Sequence, residues 1–147
     1  MIGILIIAHA PLASALRDCA LHVYPECASG VQALDILPNA SPDESLRQAK
    51  AALTKLNTSK VLMLSDVFGA TPSNVAQKLN DGIETRLLAG VNLPMLLRSV
   101  CYRHESLDAL TSRAQAGGAQ GIIPVGCTAP QNQSGPRHAP SYDDYQQ

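Results

Sequence analysis

His9 and Asp66 are the two side chains of this 147-residue chain whose types and positions suit covalent chemistry. Each follows an apolar run, Ile2-Gly3-Ile4-Leu5-Ile6-Ile7-Ala8 before the histidine and Val61-Leu62-Met63-Leu64-Ser65 before the aspartate. A carboxylate on one imidazole nitrogen fixes the ring tautomer and leaves the other nitrogen free as a nucleophile. It also steadies the positive charge that grows on the ring during attack. Two helix starts, Thr71-Pro72-Ser73-Asn74 and Asn92-Leu93-Pro94, follow Gly69 and Gly90. Backbone N–H groups at a helix N-terminus bind anions, phosphate above all, and glycine lets the backbone come close. A nucleophilic histidine, an orienting carboxylate and a phosphate-binding rim of Gly69, Thr71, Ser73, Asn74 and Asn92 suit a phosphoryl acceptor. A loose phosphoryl-transfer transition state needs mainly alignment and charge stabilisation. The plainer alternative makes Asp66 and Asn92 turn caps and His9 a loop residue; spacing alone leaves both open.

For the pair to meet, the elements that carry it must be neighbours. A continuous apolar run reads as a strand buried on both faces, as in a parallel sheet. Ligands in such sheets bind outside the carboxyl ends of the strands, where His9 and Asp66 fall. Pro11 suits the first turn of a helix whose apolar face is Leu12, Leu16, Cys19 and Val23. A second strand, Val31–Leu37, alternates in part and is expected to be less buried. Ser41-Pro42-Asp43-Glu44 reads as a capping box, opening a helix that buries Leu46, Ala49, Leu53 and Leu56. Thr71-Pro72 repeats the cap-then-proline start, with Val75, Ala76 and Leu79 inward. Asp81-Gly82 is a turn, and Glu84–Ala89 a fourth strand. Asn92 caps a helix burying Met95, Leu96 and Val100, and Leu107, Leu110 and Ala114 mark a last helix ended by Gly117-Gly118. Ile122-Ile123-Pro124-Val125 reads as a short fifth strand confined by its proline to an edge.

Strands alternating with helices predict an α/β fold, a flavodoxin-like three-layer sandwich of four parallel strands in the order 2-1-3-4. In that order the first and third strands are adjacent where the chain reverses, which brings His9 and Asp66 together. The domain is expected over residues 1–127, and residues 128–147, rich in Ala, Pro, Gln, Asn, Ser and Gly, as a disordered tail. His22 falls on a helix, His104 in a linker and His138 in the tail, so none of them is assigned a role. The net charge of −1, without a basic cluster, argues against nucleic acid or an anionic membrane as partner. The first apolar run is too short to span a bilayer and lacks a basic flank, so a cytoplasmic protein without membrane insertion is expected. Cys19, Cys27, Cys101 and Cys127 lack zinc-site spacing and read as reduced thiols in packing positions. No motif supports a metal, nucleotide or other cofactor.

Taken together, Ile2–His9, Asp66-Val67-Phe68-Gly69-Ala70-Thr71-Pro72-Ser73-Asn74 and Ala89-Gly90-Val91-Asn92-Leu93-Pro94-Met95-Leu96 resemble the IIA component (EIIA) of the mannose family of bacterial phosphoenolpyruvate-dependent sugar phosphotransferase systems. The resemblance covers residues 1–126. It implies that His9 is phosphorylated by the phosphocarrier HPr, that Asp66 is its hydrogen-bonding carboxylate, and that the phosphoryl group passes to a IIB partner. It also implies a homodimer that exchanges the last strand as an antiparallel edge strand. Two stretches depart from the family pattern. Ala8-His9-Ala10-Pro11 stands where the family has Ser-His-Gly or Thr-His-Gly. Gly69-Ala70-Thr71-Pro72-Ser73-Asn74 stands for Gly-Gly-Ser-Pro-Phe-Asn, so Ser73 removes an apolar contact expected at the rim. The alternative within the same chemistry is a regulatory protein whose phosphorylation at His9 controls binding of a target protein without sugar transport. The phosphotransfer subunit of dihydroxyacetone kinase is disfavoured by Gly69, Pro72 and Asn74, and a tetrapyrrole metal chelatase by the lack of a second well-placed histidine.

Overall fold

A computed structural model describes residues 1–127; the expected tail, with His138, lies outside the described residues. The chain runs β1 (Gly3–His9), α1 (Leu12–Val23), a 3-10 segment (Pro25–Gly30), β2 (Val31–Ile36), α2 (Pro42–Leu56), β3 (Val61–Ser65), α3 (Thr71–Leu79), β4 (Thr85–Ala89), α4 (Leu93–Cys101) and α5 (Leu107–Gln120). Four parallel strands form one sheet in the order β2-β1-β3-β4.

The continuous apolar runs become the two central strands because only there are both faces covered. Ile4, Ile6 and Ala8 pack with Leu62 and Leu64 against α1, α4 and α5, while Leu5, Ile7 and Met63 pack against α2 and α3. The flanking strand β2 is buried only at Val31 and Ile36, in keeping with its partial alternation. Ser41 accepts a hydrogen bond from the Glu44 N–H at 3.1 Å, as a cap should. The second half of the expected box is not formed, because the Glu44 carboxylate turns outward to Arg47 and Gln48.

Three expectations need correction. In α1 the buried residues are Ala13 and Ala20, with Leu16 packed against the core, while Leu12 and Val23 are exposed. Leu16 lies on the inward face as expected, but Ala13 and Ala20 stand there in place of Leu12, Cys19 and Val23, and these alanines let α1 lie close to the sheet. Gly117-Gly118 does not end α5, which runs on to Gln120. An added Cβ at Gly117 would stand 2.8 Å from Arg98 Cβ, and one at Gly118 2.8 Å from Met95 Cε, so these glycines serve the close approach of α5 to α4. Of the cysteines only Cys27 is partly buried; Cys19, Cys101 and Cys127 are exposed rather than packed. The expected edge strand Ile122–Val125 is unpaired among the described residues of the single chain, where Ile122, Ile123 and Val125 stand exposed. Pro124 removes one ladder donor, which suits pairing on one side only.

The turn into β4 is held by one carboxylate. Asp81 Oδ1 accepts from the N–H groups of Ile83, Glu84 and Thr85 at 2.8, 2.9 and 3.0 Å. These bonds, led by those from Ile83 and Thr85, hold its pKa down to about 2. A depressed carboxyl contributes stability that is present above its unfolded value, near 3.9, and lost as pH falls through the folded value. Asp81→Asn should therefore lower the Tm at neutral pH, and the gap from wild type should shrink as pH falls from 4 towards 2. A gap of constant size across that window in thermal melts would contradict this assignment.

Candidate functional site

His9 is the last residue of β1, and Asp66 immediately follows β3, the adjacent strand. His9 Nδ1 lies 2.7 Å from Asp66 Oδ2, and the His9 backbone N–H donates to the same oxygen at 2.9 Å. The Val67 N–H donates to Asp66 Oδ1 at 2.8 Å. Burial alone would raise the Asp66 carboxyl, but the hydrogen bonds from His9 and Val67 hold it below its ordinary value. An ionised carboxylate only accepts, so the shared proton sits on His9 Nδ1 and leaves the Nε2 lone pair free. The carboxylate side chain is 9% exposed and the imidazole 53%, so the anchor is sheltered while the ring faces solvent.

The loops around the pair are tied to the same sheet edge. The Gly90 N–H donates to the Asp66 carbonyl at 2.6 Å and the Val91 N–H to the Ser65 carbonyl at 3.0 Å. These bonds draw the start of α4 to the end of β3. Gly69 and Gly90 have φ of +87° and +88°. An added Cβ would meet no atom within 4 Å at either, so the need for glycine is conformational rather than one of space.

The expected phosphate-binding residues differ in what they offer. Thr71 is exposed at the first position of α3, but the residue before the helix is Ala70 and no side chain caps it, so Thr71 is not the cap its sequence suggests. Asn74 is exposed; its N–H closes the first helical turn on Ala70 O, and Nδ2 reaches Gly69 O at 3.4 Å. Ser73 is 1% exposed with its hydroxyl unpartnered, so its side chain lies beneath the rim and leaves the phenylalanine position of the family pattern inside the fold. Asn92 accepts from the Met95 N–H at 2.9 Å and donates to the Gly118 carbonyl at 3.0 Å. Its side chain is thus committed to capping α4 and tying it to α5, and what it offers an anion is the helix start itself.

The other described histidines lie elsewhere. His22 is exposed near the end of α1, and His104 is exposed in the turn between α4 and α5, its ring 6.2 Å from that of Tyr102. Sequence reasoning missed the apolar side chains that do stand at the rim, Val67 and Phe68, 60% and 77% exposed. Two strong hydrophobes directly after a strand-end carboxylate were the available signal. Among the described residues no cluster of His, Cys, Asp and Glu could hold a metal ion, and no helix is long and apolar enough to cross a membrane.

A family model described as the PTS system fructose IIA component (EIIA-man) matches residues 3–115. No curated protein matches at the sequence level. Among solved structures, the phosphotransferase system component EIIA from Streptococcus agalactiae aligns with a TM-score of 0.74 at 23% identity, over 84% of this chain and 96% of that one. The mannose/sorbose specific IIA subunit from Enterococcus faecalis aligns with a TM-score of 0.76 at 19% identity, over 87% and 97%. The PTS IIA protein associated with the fucose utilization operon of Streptococcus pneumoniae gives 0.67 at 24% identity, over 78% and 88%. At these identities the structural matches establish the shared fold.

Proposed function

Because the chain belongs to the EIIA-man family, the IIA phosphocarrier components of the phosphotransferase system, we propose that His9 is its phosphoryl acceptor. HPr is the donor and a IIB component the onward acceptor. The observation that carries this reading is the 2.7 Å contact between His9 Nδ1 and the sheltered Asp66 carboxylate, with the ring otherwise open to solvent. In the transfer, the Nε2 lone pair forms a bond to phosphorus as the donor's bond to phosphorus breaks and its electron pair leaves with the donor. The proton stays on Nδ1, and Asp66 balances the positive charge left on the ring. Passing the group on runs the same steps in reverse toward IIB. Gly69, Thr71, Ser73, Asn74 and Asn92 contribute by building the two helix starts beside the acceptor, whose N–H groups favour the phosphoryl oxygens. Incubation with phosphoenolpyruvate, enzyme I and HPr should place one acid-labile phosphate on each chain, seen by mass spectrometry at mildly basic pH. No phosphate with donors of proven competence would overturn the reading.

We further propose that the working form is a homodimer in which the segment after α5 pairs with the partner's β4. Among the described residues β4 pairs only with β3, its Leu87 and Leu88 are half-buried, and Ile122, Ile123 and Val125 stand exposed at 78%, 68% and 90%. Exchange would bury both sets of apolar groups. Light scattering at micromolar concentration should give twice the chain mass; a monomer mass would end this proposal.

A further inference from the structure

Between His9 and the start of α1 stand only Ala10 and Pro11, so the placement of α1 is transmitted directly to the acceptor. The apolar hold on α1 comes from the buried Ala13 and Ala20 and from Leu16 packed against the core. Its first turn lacks a cap of its own: Pro11, the residue before the helix, makes no side-chain capping bond. Polar contacts with β2 and the segment before it hold its first turns as well. Asp35 Oδ1 accepts from the Ser14 N–H at 3.1 Å, and Oδ2 accepts from the Ser14 hydroxyl. The neighbouring Ile36 carbonyl accepts from the Ala10 N–H at 3.0 Å. One turn further along, Arg17 donates to the carbonyls of Val31 and Ala28 at 2.7 and 2.9 Å.

We infer that Asp35 is a positioning residue: by capping α1 from β2 it fixes the two-residue turn that sets His9 against Asp66. Asp35 stands opposite Ala8 in the sheet register, and Ala8 packs in the cluster that α1 covers. Asp35 therefore acts on His9 through Ser14 and the turn. A carboxylate at this place also complements the positive end of the α1 dipole. The kinetic consequence rests on His9 being the acceptor; the geometric one does not.

The test compares Asp35→Ala, Asp35→Asn and Ser14→Ala with wild type, first unphosphorylated and then as acceptors from phospho-HPr. The hydrogen-bonded Nδ1–H resonance of His9 should be sharp in wild type and Asp35→Asn, which keeps an acceptor for the Ser14 N–H, and shifted or broadened in Asp35→Ala. Transfer to Asp35→Ala should be about tenfold slower, on the scale that a small misplacement costs, with KM for the donor unchanged and the rate largely restored in Asp35→Asn. Ser14→Ala should move both readouts the same way by less, and it carries the test if Asp35→Ala does not fold. A wild-type resonance and rate in Asp35→Ala, or in Ser14→Ala where that variant stands in, would overturn the inference. So would a loss shared equally by Asp35→Asn, or an effect confined to KM. If wild type itself takes up no phosphate, the acceptor reading fails, and the resonance alone still decides the role of Asp35.

Discussion

Replacing His9 by alanine should leave a folded protein that takes up no phosphoryl group from phospho-HPr. The imidazole is 53% exposed, so its loss removes little core packing, and Asp66 keeps its two backbone donors, the N–H groups of His9 and Val67. Among the described residues no second histidine is placed to take over the proposed role. His104 lies beside Arg103, whose carbonyl accepts from the Ile2 N–H at the opposite end of β1, and His22 lies near the far end of α1. Neither has a carboxylate within bonding distance among the described residues. The expected phosphorylation is therefore zero within detection, with a melting temperature close to wild type. Phosphate retained by the folded variant would contradict the assignment.

Asp66→Ala should be the second largest loss, slowing transfer about 10- to 1000-fold, the scale for removing one orienting and charge-balancing group. In the proposed transfer the carboxylate would fix the proton on Nδ1, hold the ring plane and oppose the charge that forms as Nε2 attacks. Its carboxyl is held below its ordinary value despite burial, so loss of transfer through Asp66 protonation should come at a lower pH than an unperturbed carboxyl would give. By the same sign, its contribution to stability is present above its unfolded value and disappears only as pH falls through the lowered one. Asp66→Asn retains an acceptor for Nδ1–H without the charge, so its rate should fall between Asp66→Ala and wild type. Single-turnover transfer rates, compared on variants whose folding is checked by circular dichroism, decide this. An unchanged rate in folded Asp66→Ala would reduce Asp66 to a turn cap.

The strands were legible because burial on both faces leaves an unbroken apolar signature, clear in Ile2–Ala8 and Val61–Leu64. The meeting of His9 with Asp66 followed from two strand ends and one strand order, all readable along the chain. What was lost came from contacts between distant segments. The inward face of α1 was misread except at Leu16, because Leu12 and Val23 are exposed while alanines are buried against the core. Gly117-Gly118 looked like a stop because nothing local shows that Arg98 and Met95 press on both positions. The Ser73 position looked like rim, yet the first turn of α3 carries it inward. Asp35 drew no notice: a lone acid in a flanking strand shows its purpose only once Ser14 is seen beside it.

The central claim is that His9, through Nε2, accepts the phosphoryl group. The most direct measurement uses a chain with His22, His104 and His138 replaced and only His9 kept, phosphorylated by phosphoenolpyruvate, enzyme I and HPr, and examined by imidazole-15N NMR with mass spectrometry. One acid-labile phosphate per chain, bonded to His9 Nε2 with Nδ1 still protonated, is the predicted result. An unphosphorylated chain, or a phosphate on Nδ1, would contradict it.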